Sequence, residues 1–328
     1  MATVGAGAVS GSEHAHRLAA IRAAPNNLGA NLMIGAGVYH ESQNPVRSKF
    51  AGYNRAVSSS NWRLILSDPT SGPMNMALDE AILEAVRNDQ VPPTLRFYSW
   101  NPPCLSLGYA QPVDDADRGA IKELGWDLVR RPTGGKAILH TDEITYSISA
   151  SADHPVFEGG VLSSYKRISL ALIAGLERLG LEPELNVARP LEPSSENPVC
   201  FQNPGAFEIA VAGKKLVGSA QLRRSGAVLQ HGSLPIQGEL GRICLALRYP
   251  DEHDRKQAME QVGQHAVTIK RVLGESPTWS EMAEHLTAGF EQALQLNLSR
   301  LDPSQQEISR SHEILEKRYS DPDWTQRI

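Results

Sequence analysis

Between Phe207 and Ile236 three strand-like segments follow one another with a glycine at each reversal, and this run constrains the fold more than any other part of the chain. Phe207-Glu208-Ile209-Ala210-Val211 leads through Gly213 into Lys215 to Leu222, and Gly226 turns the chain into Val228 to Ile236. Short β-patterned runs with glycine at tight reversals make an antiparallel meander. Two long segments carry the other period. Behind Pro73, a residue suited to a helix's first turn, Met74, Ala77, Leu78, Ala81, Ile82, Ala85 and Val86 recur at helical spacing. Val161, Tyr165, Ile168, Leu172, Leu176 and Leu179 mark a second helix, closed by Gly180. Hairpins with a few packed helices predict the α+β class.

Ordered structure is expected to start at Asn61, with Trp62 to Leu66 as a strand stopped by Asp68-Pro69. Thr94 to Tyr98 and Cys104 to Gly108 read as short strands, Asp114 to Leu124 as a helix, and Trp126 to Val129 as a strand. Lys136 to His140 and Ile144 to Ser149 read as a strand pair joined through Thr141-Asp142-Glu143, and Glu182 to Pro204 as mostly loop. Residues 1–60 hold no sustained period and are expected to be disordered; an acid-poor, Arg- and Ser-containing start also fits a transit peptide. Residues 251–328 read as a helical segment, with helices near Glu281 to Leu296 and Gln305 to Tyr319.

Composition narrows the function classes. The net charge of −5 gives no long-range attraction for nucleic acid or an anionic membrane. No apolar run approaches the ~20 residues that cross a bilayer. Three scattered cysteines, Cys104, Cys200 and Cys244, make neither a disulfide framework nor a metal-ligand spacing, which fits a reducing, cytoplasmic setting, or an organelle interior if the start is a transit peptide. Cys104 and Cys244 sit in apolar runs and read as buried, inert thiols.

Two stretches carry chemistry. Arg130-Arg131-Pro132-Thr133-Gly134-Gly135-Lys136 is a basic pair, a rigid turn and a double glycine running into the apolar Ala137-Ile138-Leu139-His140. Paired glycines let backbone N–H groups approach anionic oxygens, and the arginines add charge-assisted donors. A tight turn with two solvated arginines is the plainer reading; the segment matches neither a P-loop nor a GxGxxG fingerprint. The second stretch, Gly213 to Gln221, sets Lys215 at the start of a strand whose alternation puts Lys215, Val217, Ser219 and Gln221 on one face. Alone, Lys215 reads as an exposed hairpin lysine.

Cys200 lies between these stretches, at the end of a proline- and serine-rich loop. A thiol of pKa ~8.5 is only about 3% thiolate at about pH 7, and a cation that lowers the pKa by about two units makes it roughly three-quarters thiolate. That shift is worth about 2.7 kcal/mol, and Lys215 or His231 are the candidate cations. His140 and His231 read first as satisfied structural histidines. Asp79 reads as a helix-surface carboxylate, with orientation of a nearby basic group as its second reading. Basic groups and one thiol together suit an acyl chain carried as a thioester or an acyl-phosphate.

At these residues the chain resembles the biotin/lipoate protein ligase superfamily, within it the lipoate–protein ligase A and octanoyltransferase branch. The resemblance covers about Trp62 to Tyr249 and is carried by Asn75-Met76-Ala77-Leu78-Asp79, Arg130 to His140, Gly213 to Gln221, and Leu229-Gln230-His231-Gly232-Ser233. It implies a class II synthetase-like α+β catalytic domain over residues 61–250, with a mixed, largely antiparallel sheet. It implies that Lys215 is the essential lysine, and that Arg130, Arg131, Thr133, Gly134, Gly135, Lys136, His140, Gly218, Ser219 and His231 bind substrate, with Val217 and Leu139 lining an acyl tunnel. Adenylate-forming members carry a third glycine where Lys136 stands and lack a cysteine in the loop before the Lys215 hairpin. The pair Cys200-Phe201 and Lys136 instead resemble the ligase-like octanoyltransferases. That likeness implies Cys200 as nucleophile, an octanoyl-acyl carrier protein as donor, and a lysine of a lipoyl domain of 2-oxoacid dehydrogenases or of the glycine cleavage H protein as acceptor. No cofactor or metal is expected; ATP enters only under the alternative of a lipoate–protein ligase. Amidotransfer between lipoyl domains and a non-catalytic acyl-carrier-binding module are the remaining alternatives.

Overall fold

The computed structural model describes residues 60–186, 199 and 207–328. The expectations for residues 1–59, for Cys200-Phe201 and for most of the loop before them lie outside the described residues. Strand β1 (Ser60–Leu66) leads to Ser71, whose Oγ accepts from Met74 N and caps α1 (Gly72–Arg87). Then come β2 (Thr94–Tyr98), β3 (Cys104–Leu107), α2 (Arg118–Glu123), β4 (Asp127–Arg130), β5 (Ile138–His140), β6 (Glu143–Ser151) and α3 (Gly160–Arg178). Next are β7 (Glu184–Asn186), β8 (Glu208–Val211), β9 (Lys214–Lys215), β10 (Gly218–Arg224) and β11 (Ala227–Pro235). The C-terminal part contributes α4 (Glu252–His265), α5 (Ile269–Leu273), α6 (Trp279–Leu294), β12 (Leu296–Arg300), α7 (Gln305–Ile314), a π-helical turn (Leu315–Tyr319) and α8 (Pro322–Gln326). Among the described residues, no helix is long and apolar enough to cross a membrane.

A six-stranded mixed sheet runs β10-β11-β6-β2-β1-β12. Its first four strands pair antiparallel, and β1 lies parallel to both β2 and β12. Two three-stranded sheets, β4-β3-β5 and β7-β8-β9, flank it. Three particulars differ from the sequence reading. Strands β5 and β6 are not a pair: β5 joins β3, whereas β6 enters the main sheet between β11 and β2. The run from Lys215 to Leu222 is two strands, because Leu216 N and Val217 N both donate to Ile209 O and the chain steps from one sheet to another there. Residues 251–328 supply a strand as well as helices, β12 at the sheet edge.

The main sheet buries two unlike faces. Leu95, Phe97, Ile144, Tyr146 and Ile148 meet Ile168, Leu172 and Leu176 of α3 and Met282, Leu286 and Phe290 of α6 in the largest core. Alternate positions, Arg96, Tyr98, Glu143, Thr145, Ser147, His231 and Ser233, point the other way and are buried as well. On that side Asp79 of α1 meets Arg96, Tyr98 and Ser147. Polar residues at every second position of β6 therefore mark a covered polar layer.

Helices α3 and α6 cross where two glycines touch. A Cβ on Gly289 would lie 2.3 Å from Gly175 N, and one on Gly175 would lie 2.8 Å from Leu286 Cα. Both neighbours are backbone and cannot swing aside. Gly289→Ala is expected to lower the unfolding free energy by about 1–3 kcal/mol through overpacking. Gly263→Ala in α4, whose added methyl meets nothing within 4 Å, should be neutral or stabilising by up to ~1 kcal/mol. Urea denaturation of the two variants measures both.

Candidate active site

The turn after β4 is shaped from inside by its own arginines. Arg130 is 0% and Arg131 2% exposed. Arg130 donates to Gly108 O, Tyr109 O, Gln111 O and twice to Thr325 O, at 2.5–3.3 Å. Burial and the neighbouring Arg327 push Arg130 down from the usual guanidinium value. Arg131 Nη1 donates to Ser106 O and Oγ, and its Nη2 to Gly134 O at 2.9 Å and Lys136 O at 2.7 Å, closing the turn on itself. Gly135 has φ +96°, the region glycine favours. It passes so near Gly108 that a Cβ there would sit 1.8 Å from Gly135 O.

Two carboxylate–histidine pairs stand beside the turn. Asp79 accepts from Arg96 Nη1 at 2.7 Å, Tyr98 Oη at 2.8 Å and Ser147 Oγ at 2.8 Å, and lies 3.9 Å from His231 Nδ1. His231 Nε2 meets Thr133 Oγ1 of the turn at 2.6 Å. In the second pair His140 Nδ1 is 2.8 Å from Glu143 Oε1 and His140 Nε2 2.8 Å from Ser106 Oγ, with the imidazole stacked on Trp100 at 3.9 Å. Burial alone would raise Asp79, but Arg96 and His231 outweigh it and hold the carboxyl below its usual range. Glu143 behaves alike: burial raises it, and His140, Ser233 and Thr145 bring it lower. Burial lowers His231, against the pull of Asp79, and the charges of Arg131 and His140 add to the lowering. His231 is therefore disposed to be neutral, Nδ1–H toward Asp79 and Nε2 accepting from Thr133.

These groups line a small, partly open cavity. Its apolar wall is Met76, Tyr98, Trp100, Ile138 and Ala220, and its polar groups include Arg131, His140, His231 and Ser233. A second, outer cleft shares Ser233 with it and reaches Leu139, Glu143, Val199 and Arg242. Of the residues named from the sequence, Arg131, His140, Gly218 and His231 line the inner cavity. Thr133 reaches it only through His231. Gly134 and Gly135 are exposed and Lys136 is half-buried beside it. Ser219 turns away, with Oγ 2.7 Å from Tyr146 Oη. Arg130 lines neither space, Leu139 faces the outer cleft, and Val217 is buried in the main core. Lys215, 8% exposed, lines neither space; its Nζ is 2.5 Å from Glu208 Oε1. Cys200 is outside the described residues, but Val199 before it bridges Ala137, at the end of the turn. The thiols of Cys104 and Cys244 are buried, and burial pushes both upward. Among the described residues no His, Cys, Asp and Glu group is arranged to hold a metal ion.

A mixed sheet with a buried polar face, a glycine turn held by arginines and a partly apolar cavity make up the site. The matched family model is the lipoyl protein ligase A/B catalytic domain, over residues 71–291. The chain is 37% identical over 272 residues to octanoyltransferase LipM of Brevibacillus brevis, covering 81% of this chain and 99% of that protein. It is 35% identical to octanoyltransferase LipM of Bacillus subtilis, covering 82% and 99%. Among solved structures, a lipoate-protein ligase A bound with ATP superposes with TM-score 0.67 at 25% identity, covering 81% of this chain and 98% of that one. A bipartite lipoate protein ligase of Thermoplasma acidophilum shares the fold with TM-score 0.69 at 24% identity, covering 81% and 96%. The chain belongs to the lipoyl protein ligase A/B catalytic domain family.

Several site residues escape a reading of the sequence alone: Arg96, Tyr98, Trp100, Ser106, Glu143 and Ser147. The available signal is alternation, since Glu143, Thr145, Ser147 and Ser149 recur at every second position between Ile144, Tyr146, Ile148 and Ala150. Asp79 is 1% exposed rather than on the helix surface, and it does orient a basic group. Asp79→Ala strands the Arg96 guanidinium in the interior and is expected to cost about 3–5 kcal/mol of stability in urea denaturation. The lowered His231 sets a second expectation. Below its ordinary pKa of about 6.5, the unfolded chain takes up a proton that the folded site resists, so stability falls as pH falls. The urea midpoint of the wild type should drop more steeply between about pH 7.5 and 5.5 than that of His231→Gln; equal slopes would rule out a neutral His231.

Proposed function

We propose that this chain is an octanoyltransferase of protein lipoylation that works through a thioester on Cys200. What carries the reading is the 37% identity with octanoyltransferase LipM over 99% of that protein's length. The Val199–Ala137 bridge, which brings the residue before Cys200 to the end of the glycine turn, also supports it. The inner cavity is the space offered to the chain's methylenes. Burying the seven carbons beyond an octanoyl carbonyl is worth roughly 5–6 kcal/mol at about 0.8 kcal/mol each.

The transfer has two balanced halves. Cys200 thiolate adds to the thioester carbonyl of octanoyl-acyl carrier protein; the carrier's thiolate leaves and takes up a proton, and the octanoyl group remains on Cys200. The neutral amine of a lipoyl-domain lysine then adds to that carbonyl. An amide forms, the Cys200 thiolate departs, and one proton is released. One thioester replaces another in the first half, and a thioester becomes an amide in the second, so no nucleotide is consumed. In this reading the Lys215 ammonium, paired with Glu208 in the structure, turns to the Cys200 thiolate to keep it charged and to stabilise the developing oxyanion, and the exposed Gly134 and Gly135 amides are further donors to it. The lipoate-ligase reading has its own support in the ATP-bound structural relative, and the same experiment separates the two.

Mixed with octanoyl-acyl carrier protein and no ATP, the wild type should gain the mass of one octanoyl group, and Cys200→Ser should gain none. In Lys215→Met the alkylation rate of Cys200 at about pH 7 should fall roughly 20-fold and recover as pH rises past ~8.5, since the thiolate fraction returns to that of an ordinary thiol. Unchanged turnover in Cys200→Ser, together with lipoate-dependent exchange of pyrophosphate into ATP, would replace this reading by the ligase one.

A further inference from the structure

Residues 322–328 lie beyond the segment matched by the family model, and no step of the transfer above uses them. They nevertheless meet the arginine–glycine turn at hydrogen-bond range. Trp324 Nε1 donates to Arg130 O at 2.8 Å. Thr325 O accepts from Arg130 Nε at 3.0 Å and from its Nη2 at 2.8 Å. Arg327 Nη2 donates to Tyr109 O at 2.9 Å, and the same guanidinium lies 3.7 Å from the Tyr109 ring centroid and 4.2 Å from that of Trp324. Ile328 O accepts from Val113 N at 2.8 Å. Tyr109 N in turn donates to Thr133 O at 2.8 Å, inside the turn.

The contacts fall on both arms that carry the turn. One arm is Arg130, the last residue of β4, whose carbonyl and guanidinium are each held from this segment. The other runs from Gly108 through Val113 and is bonded to Thr133. Among the described residues no carboxylate stands within ion-pair distance of the Arg130 guanidinium. Carbonyl dipoles alone orient it, and Thr325 supplies the one that comes from outside the 108–111 stretch. A buried donor with a missing acceptor is costly, so the guanidinium and its acceptors hold one another in place.

We propose that residues 322–328 form a clasp, with Trp324 as its positioning residue, that fixes the Arg130–Lys136 turn in the geometry acyl transfer requires. Trp324 touches no reacting atom; it acts through Arg130 O and the main chain that follows. The consequence for rate rests on the acyl-transfer reading, whereas the consequence for the order of the turn does not.

The test uses the full chain. Trp324→Phe keeps a ring in the edge-to-face cluster with Tyr109 and Tyr319 and removes the donor to Arg130 O; Trp324→Ala removes both. Arg310→Ala, which breaks surface pairs with Glu84 and Glu313 in the same C-terminal region, is the control. Well below the unfolding midpoint, the amides of Tyr109 and Arg131, bonded to Thr133 O and Leu107 O, should exchange with deuterium in Trp324→Phe about ten-fold faster than in the wild type, the scale of one lost hydrogen bond. The β6 and β11 amides should stay as protected as before. The kcat for acyl transfer should fall by a similar factor with KM for the carrier unchanged, and Arg310→Ala should match the wild type in both. If Trp324→Phe keeps wild-type exchange in the turn and wild-type kcat, the clasp is refuted; should Trp324→Ala fail to fold, the Phe variant alone decides. A wild type that transfers no acyl group from any donor would overturn the functional reading, and the exchange comparison would still decide the clasp.

Discussion

Two guanidinium groups buried under a glycine turn are the constraint on which the rest of the site depends. Removing a charged group from water is expensive, and it is tolerated where its N–H groups find well-placed acceptors. Arg130 and Arg131 find theirs mainly in main-chain carbonyls: Ser106, Gly108, Tyr109, Gln111, Gly134, Lys136 and Thr325. A carboxylate partner would have fixed only a side chain. Carbonyl partners fix backbone, and the backbone fixed is that of the turn, of the strand beside it and of the C-terminal segment. The two arginines therefore convert a flexible Gly-Gly pair into a defined surface whose exposed amides have fixed directions.

The same economy of placement explains why the main sheet has one apolar and one polar face, both covered. The apolar face packs on α3 and α6 and supplies most of the hydrophobic stabilisation. That leaves the opposite face free to hold Arg96, Glu143, Ser147 and His231 in a water-poor layer, where each charge has a partner. Electrostatic interactions there are stronger than at a wet surface. Asp79 and Glu143 are held as carboxylates in that layer, and they set the ring orientation of His231 and His140 at the cavity wall.

How much of this was readable beforehand follows from the range of the interactions involved. The helix at Gly72–Arg87, the hairpin around Gly226 and the strand at Thr94–Tyr98 rest on local periodicity and turn chemistry, and they stand where the pattern puts them. The partition of β5 and β6 between sheets does not, because it depends on partners more than thirty residues away. Strand β12 was hidden for the same reason: its Leu-Asn-Leu-Ser-Arg pattern gains meaning only beside β1. In the site, Arg131, His140, Gly218 and His231, which the family resemblance implies as substrate-binding, line the cavity. Arg130, implied by the same resemblance to meet substrate, gives its donors in the structure to main-chain carbonyls. Residue type alone cannot tell a ligand-binding arginine from one that braces a loop.

The break between Lys215 and Gly218 shows why separate sheets meet at this site. On one continuous strand, three residues span ~10 Å and their directions are fixed by alternation. Lys215 would then be tied to the orientation of Gly218 in the main sheet. By stepping to Ile209 at Leu216 and Val217, the chain places Lys215 in the sheet with β7 and β8, against Glu208, while Gly218 and Ala220 remain in the cavity wall. The lysine's position is thus set by β8 and by the Lys215–Ala266 bridge to the segment after α4. The cavity's shape is set by α1, β2, β5, β10 and β11. A charged group and the partly apolar cavity can then be adjusted independently.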